Sequence, residues 1–152
     1  MVDLVPPPGI DRRAEFVQGS VLDAHLMREA VEQVDQVFHL AANPQLWAPD
    51  DRRFVQNKLH GTQIVLDAAA MAGIQLIVHT STELVFVARR GKRDAAVIDE
   101  SIHDTLGDMR GPYYRSKYRA EQAVLNAATR GLPVSAPPAI RPADTAIHDP
   151  DH

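Results

Sequence analysis

A tyrosine and a lysine in the second half of the chain have the residue types and the spacing needed for proton transfer. Tyr113 and Lys117 are separated by four positions, so on a helix both side chains project from one face. A phenol has a reference pKa of about 10, and an ammonium one turn away favours the phenolate and lowers that pKa toward neutrality. Such a pair also occurs on many ordinary helix surfaces, so the spacing by itself leaves a purely structural role open.

Three hydroxyl residues form a second group with chemical potential. Thr80, Ser81 and Thr82 stand at the end of an apolar run that begins at Leu76. Parallel sheets place their active sites outside the carboxyl ends of their strands, where a hydroxyl can donate a hydrogen bond to a substrate oxygen. The same residues can instead cap the turn between the strand and the following loop.

The elements that must position these residues alternate between strand and helix. Strand-like runs fall at 15–18, 36–41, 76–80 and 134–140, and segments of helical period fall at 23–34, about 51–72 and 112–129. This order is typical of right-handed crossover units on a parallel sheet. The predicted fold class is therefore α/β.

Local signals predict where the helices begin, end and face. Asp23 is an N-cap, Pro112 opens the last helix, and Gly73 and Gly131 are C-terminal stops. In the first helix, apolar residues repeat at helical spacing: Leu26, Met27, Ala30, Val31 and Val34. In the last helix, a second set lies on one side: Tyr118, Val124, Leu125 and Ala128.

Composition excludes several classes of function. With 152 residues, no cysteine and a net charge of -4, the chain fits one domain, has no thiolate chemistry and lacks the basic face of a nucleic-acid binder. The histidines show no paired spacing on one helix, so no metal site is expected; a loose site at His148 and His152 competes with a flexible polar tail. Because no apolar stretch spans a bilayer and no secretory signal begins the chain, a cytoplasmic location is expected.

Five segments in order resemble the extended branch of the short-chain dehydrogenase/reductase superfamily, over about residues 16–142. They are Phe38-His39-Leu40-Ala41-Ala42, His60-Gly61-Thr62, His79-Thr80-Ser81-Thr82 with Val85-Phe86, Tyr113-x-x-x-Lys117 and Ala139-Ile140-Arg141-Pro142. That branch includes NAD-dependent nucleotide-sugar epimerases and dehydratases, dihydroflavonol reductases and 3β-hydroxysteroid dehydrogenases. The resemblance implies a Rossmann-like parallel sheet flanked by helices, with NAD or NADP as cofactor.

The resemblance also implies roles for individual residues. In such enzymes the tyrosine exchanges a proton with the substrate, the lysine lowers the tyrosine pKa and holds the nicotinamide ribose, and a serine or threonine fixes the reacting oxygen. By match these roles fall to Tyr113, Lys117 and Thr82; Ser81 competes for the Thr82 role, and Tyr114 replaces Tyr113 only if the helix register shifts. The implied cofactor-binding residues are Asp3, Ser20, Val21, Leu40, Ala41, Ala42 and Lys117.

The chain departs from the family pattern at the cofactor site. The family begins with a strand, a Gly-x-x-Gly-x-x-Gly turn and a helix that meet the pyrophosphate, and none of the eight glycines has that spacing. We therefore predict a partial domain over 1–142, lacking the first strand and the glycine-rich loop, and a flexible tail over 143–152. The strands beside the missing one should keep unpaired edges unless the gap closes. Lys58 also stands where an asparagine is usual, three residues before Gly61, with Asn57 one position off.

Two hypotheses follow from these observations. The first is an NAD(P)-linked oxidoreductase or epimerase domain that acts on a secondary alcohol or ketone of a small molecule: a sterol, a flavonol-like ketone or a nucleotide sugar. The second is a truncated, inactive α/β domain that keeps the catalytic residues but cannot bind the dinucleotide. Neither nucleic acid nor a membrane is an expected partner, and a homodimer is left open.

Overall fold

The computed structural model describes residues 1–40, 56–81, 105–109 and 111–136. These ranges contain short strands, α-helices and a π-helical turn that leads directly into a helix. The strands are β1 (Val2–Asp3), β2 (Val17–Gln18), β3 (Gln36–His39), β4 (Leu76–His79) and β5 (Val134–Ser135); the helices are α1 (Ala24–Val31), α2 (Gly61–Ala72) and α3 (Gly111–Thr129), and the π-helical turn is Gln56–His60. The predicted alternation of strand and helix is confirmed from β2 onward, whereas β1 was not predicted and is followed directly by β2. None of these helices is long and apolar enough to cross a membrane.

All strand pairs are parallel, and they form two sheets rather than one. β1 pairs with β2, while β4 lies between β3 and β5. Within the described ranges no strand joins β1 to β3, so the predicted gap has not closed by re-pairing. Apolar side chains near these two edges are exposed: Leu4 by 62%, Phe38 by 63% and Leu40 by 66%. The observed fold is thus a partial parallel sheet.

The helices pack against one face of the three-stranded sheet. Ile77 of β4 has no exposed surface and belongs to one core with Val65 of α2 and Val124 of α3. Because side chains alternate along a strand, Val37 faces this core whereas its neighbour Phe38 faces away from it. One face of β3 is therefore covered by helices and the other is exposed.

The helix ends follow the predicted signals. The Asp23 Oδ1 atom accepts hydrogen bonds from the backbone N–H groups of His25 and Leu26 at 3.0 and 3.1 Å. Gly73 ends α2 with a φ of 68°, and its N–H donates to the carbonyl of Ala69. A left-handed residue of this kind satisfies carbonyls that the last helical turn leaves without partners.

Two predicted helix faces were wrong in part, because Val34 of the first set and Leu125 and Ala128 of the second are exposed. Val34 is 43% exposed because α1 ends at Val31, three residues earlier. Leu125 is 46% exposed although its neighbour Val124 is fully buried. Successive helical residues are rotated by about 100°, so the face of α3 that buries Val124 turns Leu125 outward.

Gly61, the first residue of α2, offers a test of this packing. A Cβ atom at Gly61 would lie 2.7 Å from Cγ2 of Val21, a short and stiff side chain. We expect Gly61→Ala to lower the free energy of unfolding by about 1–3 kcal/mol, because overpacking outweighs the roughly 0.5–1 kcal/mol that alanine usually gains over glycine in a helix. The control is Gly107→Ala, whose nearest atom is Thr105 Oγ1 at 3.6 Å. Urea denaturation measures both variants, and equal stability would contradict the expectation.

Candidate functional site

Tyr113 and Lys117 lie on the buried face of α3, and each is 8% exposed. Between them, Ser116 is fully buried and its Oγ donates a hydrogen bond to the Tyr113 carbonyl at 2.7 Å. Tyr114 is half-buried, and its ring meets the Tyr113 ring edge-on with the centroids 5.6 Å apart. The helix register therefore puts Tyr113, rather than Tyr114, on the face shared with Lys117.

Lys117 connects this face of α3 to the carboxyl end of β4. Its Nζ donates a hydrogen bond to the carbonyl oxygen of Thr80 at 3.3 Å. Burial lowers the pKa of Lys117, and the charge of Glu121 opposes that shift. Ser81 follows Thr80 and is 3% exposed, whereas Thr82 lies outside the described residues. The structure thus brings the tyrosine–lysine face to the end of β4, and the role of Thr82 stays a prediction.

A second lysine contacts Tyr113 from a different element. Lys58 lies in the π-helical turn and is 2% exposed, and its Nζ is 3.5 Å from the centroid of the Tyr113 ring. This is the geometry of a cation–π contact. Burial first, and then the charge of Lys117, lower the pKa of Lys58 to about 7.

Two histidines lie side by side on the strands next to these lysines. The parallel register pairs His39 with His79, and their ring centroids are 5.2 Å apart. Burial lowers the pKa of His39 to about 4 and that of His79 to about 3, and the charge of Lys117 adds to both shifts. Both imidazoles are therefore neutral near pH 7.

A buried threonine links His39 to the π-helical turn. The Thr62 Oγ1 atom donates a hydrogen bond to the Lys58 carbonyl at 2.5 Å and lies 3.0 Å from His39 Nε2. Because the only hydroxyl proton of Thr62 is directed at Lys58, its oxygen accepts from His39, which places the imidazole proton on Nε2. His79, in contrast, has no hydrogen-bond partner for either ring nitrogen among the described residues.

Asp3, the predicted ribose ligand, ends β1 with an exposed side chain. Its Oδ1 accepts hydrogen bonds from the backbone N–H groups of Leu4 and Val5 at 2.6 and 3.4 Å. These bonds orient the carboxylate just beyond the carboxyl end of the strand, where parallel sheets bind ligands.

The other described candidates for cofactor binding follow the next two strands. Ser20 and Val21 come after β2, and Leu40 comes directly after β3. The Ser20 Oγ accepts a hydrogen bond from the N–H of Leu22 at 3.2 Å. Ala41 and Ala42 lie outside the described residues. Asp3, Ser20, Val21 and Leu40 therefore lie at or just after the carboxyl ends of parallel strands, whereas Lys117 lies on α3.

Sequence reasoning did not assign His39, His79 or Lys58 to the site. A signal for the histidines was present, since each lies near the carboxyl end of a predicted strand and neighbouring parallel strands bring such residues together. No comparable signal predicts the contact between Lys58 and Tyr113, which are far apart in sequence. As for metals, no cluster of histidine, aspartate and glutamate side chains in the described part of the chain could hold an ion.

The sequence model of the 3-beta hydroxysteroid dehydrogenase/isomerase family matches residues 9–143. The chain belongs to this family. Among curated relatives of this family member, the 3 beta-hydroxysteroid dehydrogenase/Delta 5-->4-isomerase of Mycobacterium tuberculosis is 34% identical over 137 residues, which are 84% of this chain and 35% of the relative.

Solved structures place the same family member among short-chain dehydrogenases and nucleotide-sugar dehydratases. The dTDP-glucose 4,6-dehydratase DesIV from Streptomyces venezuelae, solved with NAD bound, is 28% identical with a TM-score of 0.70 over 86% of this chain and 39% of its own. A short-chain dehydrogenase/reductase superfamily protein from Agrobacterium tumefaciens, also with bound NAD, is 28% identical with a TM-score of 0.68 over 89% and 38%. The resemblance to the extended branch and the α/β fold are confirmed, and the chain spans between 35% and 39% of the length of these relatives.

Proposed function

We propose that this chain carries the residues that transfer the proton in an NAD(P)-linked oxidoreductase site, which acts on a secondary alcohol or ketone. One observation carries the proposal: Tyr113 and Lys117 are buried on one face of α3, and the Lys117 Nζ lies 3.3 Å from the Thr80 carbonyl, where β4 ends. Membership of the 3-beta hydroxysteroid dehydrogenase/isomerase family supports the reaction class. It also favours a sterol-like substrate over a flavonol-like ketone or a nucleotide sugar.

Different residues of the chain have different roles in the proposed proton transfer. Tyr113 passes a proton to or from the substrate oxygen, and Lys117 stabilises the phenolate that results. Thr82, or Ser81 in its place, donates a hydrogen bond to the same oxygen. When bound, the nicotinamide cofactor supplies or accepts the hydride. Burial keeps water from this end of α3, which strengthens each electrostatic interaction there.

The residues present fit the two riboses of a dinucleotide. Asp3 would hold the hydroxyls of the adenosine ribose with its exposed, oriented carboxylate, and Lys117 takes the nicotinamide ribose by its match to the family motif. The diphosphate is different, because the sequence has no glycine-rich turn to meet it. The NAD bound to two solved relatives supports the choice of cofactor.

Fluorescence titration with NADH and with NADPH tests the proposal. We expect saturable binding of at least one of them in the micromolar to millimolar range. Asp3→Asn should weaken it by about tenfold or more, because a hydrogen bond to a charged group contributes roughly 1.5–3 kcal/mol. Asp11→Asn is the matched control, since Asp11 is an exposed carboxylate that pairs with its close sequence neighbour Arg13. If neither nucleotide binds at millimolar concentration, the chain is not an oxidoreductase by itself.

A second candidate function is favoured by the gap in the sheet. Within the described ranges β1 and β3 are not joined, and Phe38 and Leu40 beside this gap are exposed. A chain of this kind keeps the tyrosine–lysine face but acts as an inactive α/β domain. The same titration separates the two functions, because the inactive domain binds neither nucleotide.

A further inference from the structure

Lys58 is more deeply buried than Tyr113 or Lys117, and the proposed function gives it no role. Its side chain is 2% exposed, and its Nζ lies 3.5 Å from the centroid of the Tyr113 ring. The backbone fixes the lysine in this place, because its carbonyl accepts the hydrogen bond from Thr62, which in turn contacts His39. The π-helical turn is also a rare element that is frequent at functional sites.

The titratable groups around Lys58 are mostly bases. Among the described residues they are Tyr113, Lys117 and Glu121 on α3, His39 on β3, His79 on β4, Asp67 on α2, and the exposed His60 in the π-helical turn itself. Both strand histidines are neutral near pH 7, and the charge of Glu121 acts on Lys117. The Tyr113 ring is an electron-rich group that the Lys58 ammonium contacts directly.

We propose that Lys58 is a positioning residue that contacts the face of the Tyr113 ring and stabilises negative charge on the phenol. The effect of this contact on catalysis rests on the proposed function. A cation is attracted by the electron density of an aromatic face, and more strongly when the phenol oxygen gains negative charge. The state in which Tyr113 has given up its proton is thus stabilised by Lys58 in addition to Lys117. Because the pKa of Lys58 is lowered to about 7, this stabilisation is present below about pH 7 and is lost as the pH rises above it.

The contact can be measured without any turnover. The chain has three lysines, Lys58, Lys92 and Lys117, so isotopic labelling of the lysine Cε atoms gives three NMR signals that single lysine-to-methionine variants assign. We expect the Lys58 signal to titrate near pH 7. Since the ring favours the ammonium, Tyr113→Leu should lower that midpoint by about one pKa unit, and Tyr113→Phe, which keeps an aromatic face, should change it far less.

Tyr114→Leu is the matched control for this titration, because it removes the neighbouring ring and leaves the Tyr113 ring in place. Its Lys58 midpoint should equal that of the wild type. The proposal is overturned if Lys58 titrates like an ordinary exposed lysine, or if Tyr113→Leu and Tyr113→Phe give the same midpoint. Both comparisons keep Lys58 intact, so they decide the question even if a variant at Lys58 fails to fold.

The pH profile of turnover gives the second measurement. Lys58→Met keeps most of the side-chain volume and should lower kcat/KM about tenfold below pH 7, then approach the wild-type value above it, where Lys58 has lost its charge. His60→Gln, an exposed change in the same turn, should leave the profile unchanged. A loss that is equal at all pH values shows a purely structural role and overturns the proposal. If the wild type shows no turnover, the proposed function fails, and the NMR titration alone decides the role of Lys58.

Discussion

Replacing Tyr113 by phenylalanine is expected to lower turnover of a secondary alcohol by about 100- to 10,000-fold, the range that general acid–base catalysis contributes. The variant removes only the hydroxyl, because the ring keeps its edge-on contact with Tyr114 and its face toward Lys58. The loss should appear in kcat, since the proton is transferred in the chemical step rather than in binding. The rate of nicotinamide reduction with NAD or NADP measures it, with a 3β-hydroxysteroid as the first substrate and a dihydroflavonol and a nucleotide sugar as alternatives.

Tyr114→Phe is the control for this experiment. Tyr114 is the next residue along α3 and only half-buried, and a rotation of about 100° turns it away from the face of Lys117. Its loss of a hydroxyl should leave kcat close to the wild-type value. Equal effects of the two substitutions, or full activity of Tyr113→Phe, would show that the phenol of Tyr113 does not transfer the proton.

Acid should destabilise this chain from about pH 6.5 downward, where its carboxylates are still mostly ionised. Burial holds the pKa of His39 at about 4 and that of His79 at about 3, below the value of about 6.5 that an unfolded histidine has. Between these pH values the unfolded state binds more protons, so the free energy of unfolding falls as the pH drops below 6.5. At 1.36 kcal/mol per pKa unit, each imidazole removes about 3 kcal/mol by pH 4, a large share of the roughly 5–15 kcal/mol typical of a domain.

Urea denaturation at a series of pH values between 4 and 7.5 measures this dependence. His79→Leu replaces the imidazole whose nitrogens have no hydrogen-bond partner among the described residues, so it should flatten the curve between pH 6.5 and 4. His25→Leu is the control, since His25 is 74% exposed and pairs with Glu29 of the same helix, and its curve should run parallel to that of the wild type. A wild-type stability that does not change over this range would show that the histidines are not buried in solution.

The two experiments above depend on several structural features, and the sequence could predict some of these features but not others. The shared face of Tyr113 and Lys117 follows from a spacing of four on a helix, and the helix was itself predictable from Pro112 and the apolar period around it. The end of α2 at Gly73 and the start of α1 at Asp23 follow from local backbone chemistry in the same way. These predictions were confirmed because each depends on residues within one or two helical turns.

The buried environment of Tyr113 was not predictable in this way. Lys58 reaches the Tyr113 ring only because the π-helical turn packs against α3, and His79 meets His39 only through the register of β3 and β4. The exposure of Phe38 likewise depends on whether a helix covers the second face of its strand, which a short apolar run does not reveal. The exposure of Leu125 was not predictable for the same reason, since the packing of α3 on the sheet determines whether Val124 or Leu125 is buried.

The sequence by itself determined the order of elements from β2 onward, the helix caps and the tyrosine–lysine pair, because these follow from short-range steric and hydrogen-bonding preferences. The tertiary structure alone decided that the pair lies beside a second lysine and two neutral histidines, and that β1 and β3 remain unjoined within the described ranges. The physical reason is that pKa values, burial and strand pairing arise from contacts between segments far apart in the chain. Such contacts depend on how the faces of different elements meet, and the pattern within each element does not contain that information.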